Sequence, residues 1–124
     1  MMMNTSSKKI LLIDDSNFSR NFLKHALGND YQFLEAANGL TGIELFANEK
    51  PDLVILDLTM PEMNGLEVLE KLRQLDQNAR VIIGTADIQE FTFQQVMAAG
   101  AAGFIHKPYT PEQLQPIIQS LLEA

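Results

Sequence analysis

Two neighbouring carboxylates, Asp14 and Asp15, stand directly after the apolar run Ile10 to Ile13, and a third, Asp57, stands inside the end of a second such run. Thr85 with Ala86 follows another, and Lys107 with Pro108 follows the last. Paired acids at the end of a buried run are costly, because like charges repel and burial penalises the ionised form of each. Something positive should hold them. Oxygen ligands at this density suit a hard cation, Mg²⁺ or alternatively Mn²⁺, with Asp14 and Asp15 as half of the site and Asp57 completing it. A metal, an ammonium and a hydroxyl around one carboxylate are also the set that neutralises and hydrogen-bonds a transferring phosphoryl group. Asp57 then reads as a nucleophile as well as a ligand, with Lys107 and Thr85 as its helpers, since carboxylates do form acyl phosphates.

For these residues to meet, the chain must deliver them to one place. Five short runs rich in Ile, Val, Leu and Phe, namely Lys9 to Ile13, Tyr31 to Ala36, Leu53 to Leu58, Arg80 to Gly84 and Gly103 to Ile105, suit strands covered on both faces. Between them lie segments of helical length and period: Asn17 to Leu27, Leu40 to Asn48, Leu66 to Leu75, Ile88 to Ala99 and Pro111 to Leu122. Gly28, Gly39, Gly65 and Gly100 sit where helices should end or turns begin. Strands alternating with helices imply right-handed crossovers and a parallel sheet. The expected architecture is therefore α/β: a (βα)5 doubly wound three-layer sandwich with a five-stranded parallel sheet, flavodoxin-like. Ligands of such sheets bind outside the carboxyl ends of the strands, where all the residues above fall. Taken singly, each has a blander reading, the acids and Thr85 as helix caps and Lys107 as a solvated charge. Their convergence on one edge carries the functional one.

The chain of 124 residues fits one domain, 1–124, with 1–7 as a flexible N-terminus. Nine Lys and Arg against 16 Asp and Glu give a formal charge of −7, which argues against direct nucleic-acid binding. There is no cysteine, hence no disulfide framework and no thiolate metal site. No apolar stretch approaches the roughly 18 residues of a membrane span, so no membrane association and a cytoplasmic location are expected. Thr110, Pro111, Glu112 and Gln113 form a capping box for the last helix, while Pro116 predicts a kink in it or a late start.

The stretches "LLIDDS", "PDLVILDLTMPEMNG", "VIIGTAD" and "GAAGFIHKP" make the chain resemble, from about Lys8 to Leu122, the receiver domain of two-component response regulators of the chemotaxis-regulator type. The eight-residue step from Asp57 to Gly65 and the Lys107-Pro108 pair occur in family order. The resemblance implies that Asp57 accepts a phosphoryl group from a sensor histidine kinase or a histidine phosphotransfer protein. It also implies that Asp15, Asp57 and the backbone carbonyl of Thr59 ligate Mg²⁺, with Asp14 acting through a water. Lys107 would pair with Asp57 and then with the phosphoryl oxygens, behind a cis peptide at Pro108. Thr85 would move toward the phosphate and leave room for the ring of Phe104 to turn inward. The signal would then reach a downstream effector or a second copy through the face of the fourth helix, fifth strand and fifth helix. By the same resemblance, Thr59 and Asp87 would border the path of an attacking water and so tune the lifetime of the phosphoryl group.

Two other readings remain. One is a Mg²⁺-dependent phosphatase of the haloacid dehalogenase type, which would need a second Asp where Thr59 stands. The other is a degenerate receiver that serves only as an interaction module. On the fourth helix, placing Phe93 with Val96, Met97 and Ala99 toward the sheet leaves Phe91 outward as an anchor for a partner. His25 and His106 sit on different elements and make no metal pair, and Met60 and Met63 read as packing.

Overall fold

The computed structural model describes residues 8–60, 63–86 and 90–123. The expected flexible segment 1–7 and Asp87 lie outside the described residues. The elements run β1 (Lys8–Ile13), α1 (Asn17–Leu27), β2 (Tyr31–Ala36), α2 (Gly39–Glu49), β3 (Leu53–Asp57), α3 (Gly65–Leu75), β4 (Val81–Thr85), α4 (Glu90–Ala98), β5 (Gly103–His106) and α5 (Pro111–Glu123). The five strands form one parallel sheet in the order β2-β1-β3-β4-β5.

Successive strand residues face opposite sides, and the sequence fills both sides with branched apolar groups. Leu11, Ile13, Val54, Leu56, Val81 and Ile83 pack with Phe46 of α2, Val68, Leu69 and Leu72 of α3, and Val96 of α4. Ile10, Leu12, Leu53, Ile55, Ile82 and Ile105 pack with Leu23 and Leu27 of α1 and with Leu114, Ile118 and Leu122 of α5. Two cores, one on each face, make the three layers. The winding reverses at β1, because β2 lies on one side of it and β3 on the other. That reversal opens a crevice between the carboxyl ends of β1 and β3. Register places Ile13 beside Leu56, Asp57 beside Gly84 and Thr85 beside His106, so the expected reactive residues share one edge.

Local signals set the ends. Ser16, Asn38 and Asn64 cap α1, α2 and α3 by accepting from the amides of Ser19, Thr41 and Glu67. Gly28 and Gly100 follow helices with φ of 86° and 100°, whereas Gly39 and Gly65 open helices instead of ending them. α5 does not start late: it begins at Pro111 and runs through Pro116. Pro116 and Glu112 are both exposed, so water can take the Glu112 carbonyl that proline leaves without its amide partner. Among the described residues no helix is long and apolar enough to cross a membrane.

One core contact constrains β4 tightly. A Cβ built on Gly84 would clash with the buried hydroxyl of Tyr109, which has no hydrogen-bond partner among the described residues. Burial, with the fields of Asp14 and Asp57, holds the phenol well above its ordinary range, so it stays neutral. Gly84→Ala should cost about 2 kcal/mol by overpacking, and Tyr109→Phe should add about 1 kcal/mol of stability by removing an unsatisfied group. Urea denaturation of the double variant should recover part of the Gly84→Ala loss; strict additivity would refute the contact as its origin.

Candidate functional site

The site is assembled from four strand ends. β1 runs directly into Asp14 and Asp15. Asp14 is buried and Asp15 exposed, as expected where one side chain turns back under the loop and the next turns outward. Asp14 accepts from the amide of Ser16 at 2.9 Å, and its own amide donates to the carbonyl of Ala36 at 3.0 Å. Asp57 ends β3, and its Oδ1 accepts from the amide of Thr59 at 3.2 Å. α3 comes close behind it: a Cβ on Gly65 would lie 2.5 Å from Leu58 Cα and 2.8 Å from the Asp57 carbonyl oxygen. Only glycine allows that approach.

The carboxylates of Asp14, Asp15 and Asp57 each place an oxygen within 4.8 Å of the others. Opposite them, Lys107 Nζ donates to Asp14 Oδ2 at 2.9 Å, to Asp57 Oδ2 at 3.4 Å and to Ser19 Oγ at 3.4 Å. Its closer partner is thus Asp14, not Asp57. A 2.8 Å hydrogen bond from the Lys107 amide to the Thr85 carbonyl ties this residue to the end of β4, and the peptide between Lys107 and Pro108 is cis. Thr85 is completely buried at the end of β4, one residue beyond the partner of Asp57. A cleft of about 440 Å³ lies over the group, lined by Asp15, Ser16, Asp57, Thr59, Ala86 and Lys107.

Three carboxylates against one ammonium leave the cluster short of positive charge. Burial pushes the Asp57 carboxyl up and Asp14 adds to the rise, against the opposing pull of the Thr59 amide and Lys107. For Lys107, burial works against the charge, but the hydrogen bond and field of Asp14, with those of Asp57, outweigh it and raise its affinity for the proton. Lys107 therefore stays cationic, and the remaining deficit falls on the carboxylates. An all-oxygen donor set in this state fits a hard divalent cation.

Phe104 lies on β5 with its ring 5.4 Å from that of Phe93, edge to face at 72°. The expected orientation of α4 is corrected here. Phe93 and Met97 are 42 % and 38 % exposed, while Val96 is buried. The helix is turned so that Val96 forms its inward spine, and Phe93, three residues earlier and so about 60° round the helix, flanks it where it meets Phe104. The side chain of Phe91 lies outside the described residues. His106 is exposed, with Nε2 3.2 Å from the Ala86 carbonyl; Met60 is buried and Met63 packs against the core, as expected.

Several contributors went unforeseen. Ser19 on α1 touches Lys107, Tyr109 lies beneath its ammonium at 5.6 Å, and Arg20 holds the Asp14 carbonyl. The isolated Gly84 in a strand was the one sequence signal that a bulky neighbour approaches β4.

Residues 10–119 match the family described as response regulator receiver domain. The chemotaxis protein CheY of Halobacterium salinarum is 34% identical over 119 residues, which cover 95% of this chain and 99% of that protein. Sporulation initiation phosphotransferase F of Bacillus subtilis is 35% identical, covering 94% of each. Among solved structures, the CheX-CheY-BeF3-Mg²⁺ complex from Borrelia burgdorferi contains a chain similar to this one, with a TM-score of 0.86, 30% identity and coverage of 92% of this chain and 88% of that one. None of these favours the phosphatase alternative.

Proposed function

The chain belongs to the response regulator receiver domain family, and from that premise we propose that Asp57 is its phosphoacceptor, loaded by a phosphohistidine of a sensor histidine kinase or a histidine phosphotransfer protein. The observation that carries the proposal is the convergence of Asp14, Asp15 and Asp57 within 4.8 Å, with Lys107 bridging two of them. In the transfer, a carboxylate oxygen of Asp57 forms the new bond to phosphorus. The bond from phosphorus to the donor imidazole nitrogen breaks, and that nitrogen takes a proton.

Asp15, Asp57 and the backbone carbonyl of Thr59 would hold Mg²⁺, with Asp14 contributing through water. Bound there, the ion supplies the positive charge that three carboxylates and an incoming phosphoryl group require. Lys107 neutralises a phosphoryl oxygen when it leaves Asp14, and Thr85 donates its hydroxyl to another. Slow hydrolysis returns the site to its starting state, with Thr59, which lines the cleft, bordering the path of the attacking water; the part expected of Asp87 falls outside the described residues.

Two states need different contacts to carry a signal. Movement of Thr85 makes room beside β4, and the ring of Phe104 turns into it, leaving Phe93. The face of α4, β5 and α5, with Phe93 and Met97 exposed on it, is then the surface read by an effector or a second copy. Phe93 is the aromatic anchor among the described residues of this face; the side chain of Phe91, expected in that part, is not among them. A cytoplasmic location agrees with this role.

The test is uptake of one phosphoryl group from a small acyl phosphate, followed by intact mass. Uptake should require Mg²⁺ and stop when the ion is chelated. Wild-type protein that gains no mass under these conditions would refute the proposal, and steady turnover of a generic phosphate ester would favour the phosphatase instead.

A further inference from the structure

The loop after β1 is held by more than its own turn. Arg20, one turn into α1, reaches back over it and its guanidinium finds three partners. Nε donates to Glu35 Oε1 at 2.9 Å, one terminal nitrogen donates to Asn17 Oδ1 at 2.7 Å, and the other donates to the backbone carbonyl of Asp14. Glu35, on β2, is gripped from its other side by Lys24 at 2.8 Å. That hydrogen bond is the largest influence lowering the Glu35 carboxyl, so Glu35 remains a charged anchor at neutral pH. The Arg20 side chain is only 12 % exposed. A planar fork can serve three acceptors in different directions at once; a lysine ammonium on a flexible stem holds no such geometry.

The carbonyl that Arg20 holds belongs to the peptide joining Asp14 to Asp15. Rotation of that peptide would carry Asp15 away from Asp57, since the hydrogen bonds of Lys107 run to Asp14, Asp57 and Ser19 and leave Asp15 unrestrained by it. We infer that Arg20 is a positioning residue: anchored on Glu35, it fixes the Asp14-Asp15 peptide so that both carboxylates face Asp57, and it thereby raises the affinity of the cluster for Mg²⁺. The inference rests on the reading of the cluster as a Mg²⁺ site.

Charge and positioning predict opposite signs. As a mere cation, Arg20 repels an incoming divalent ion, so Arg20→Ala would bind Mg²⁺ more tightly and Arg20→Lys would match the wild type. As a positioning residue, its loss weakens binding by about tenfold or more in both variants, the usual effect of removing a group that orients metal ligands. Glu35→Ala, which leaves the Arg20 charge in place and removes its anchor, should weaken binding by a smaller factor. The measurement is calorimetric titration of the full chain with Mg²⁺ alone, with urea denaturation of each variant to establish that it is folded. Arg20→Lys binding like the wild type, or Arg20→Ala binding more tightly, would overturn the inference. Should the Arg20 variants fail to fold, Glu35→Ala decides it, weaker binding supporting the inference and unchanged binding overturning it. A wild type that binds no Mg²⁺ would remove the metal site itself, and the inference with it.

Discussion

Asp57→Asn is expected to abolish phosphoryl uptake and, without a divalent cation, to make the protein more stable than the wild type at neutral pH. The first effect follows because the amide lacks the anionic oxygen that attacks phosphorus. The second follows from the electrostatics of the site. Burial is the largest influence on the Asp57 carboxyl and raises it, Asp14 raises it further, and the Thr59 amide and Lys107 offset only part of the rise. A carboxyl raised on folding stabilises the fold while protonated, and that contribution is lost as pH climbs from the unfolded value, near 3.8, through the folded one. Near pH 7 the charge on Asp57 is therefore a net burden. Two unit charges 4 to 5 Å apart repel by several kcal/mol at an effective dielectric near 20, and Lys107 cancels most of it, leaving a gain on the order of 1 kcal/mol. Urea denaturation across pH should show the gap between variant and wild type narrowing toward pH 4, and Mg²⁺ should narrow it at neutral pH. A variant less stable than the wild type at pH 7 without cation would contradict this account of the cluster.

Lys107→Ala should act in the opposite direction on stability and in the same direction on uptake. Its ammonium bridges Asp14 and Asp57, whose side chains are only 3 % and 7 % exposed. Removing one member of a buried pair leaves the other uncompensated, at a cost of about 3 kcal/mol. Here the loss should be largest at neutral pH and fade as acid protonates the two carboxylates, or as Mg²⁺ replaces the missing charge. The wild type has a further signature. Lys107 is raised above 10.5, so its contribution is complete below that pH and disappears only as the solution passes the folded value; the variant should lack that alkaline loss. Phosphoryl uptake should slow by about a hundredfold or more, as when one preorganised donor to a developing negative charge is deleted. Rates from timed mass measurements would check it, and an uptake rate equal to that of the wild type would exclude Lys107 from the chemistry.

The strand ends were legible because the physics that sets them is local. An apolar run ends where a charge begins, parallel strands share a direction, and so Asp14, Asp57, Thr85 and Lys107 could be assigned to one edge from order alone. Contacts that depend on how a helix is rotated were less accessible. α4 carries Phe93, Val96, Met97 and Ala98 on neighbouring sides, so its pattern does not choose one face, and the tertiary fit against β5 turned Val96 inward and left Phe93 at the flank. Arg20 was invisible for a different reason. A cation on an amphipathic helix reads as a solvated charge until Glu35, from a separate strand, is brought within 2.9 Å. The Tyr109-Gly84 contact combines a bulky residue just after a cis peptide with a small one in mid-strand, and nothing along the chain ties the two. Pro116 did not delay the start of α5, since the helix begins at Pro111 and the carbonyl that proline abandons belongs to the exposed Glu112.

The most direct test is chemical trapping. Protein incubated with Mg²⁺ and a small acyl phosphate is reduced with borohydride, which converts an aspartyl phosphate into homoserine, and the peptides are sequenced by mass spectrometry. Homoserine at position 57, and its absence when the phosphodonor or Mg²⁺ is left out, is the predicted result. Homoserine at Asp14 or Asp15, or unmodified aspartate at all three positions, would contradict Asp57 as the phosphoacceptor.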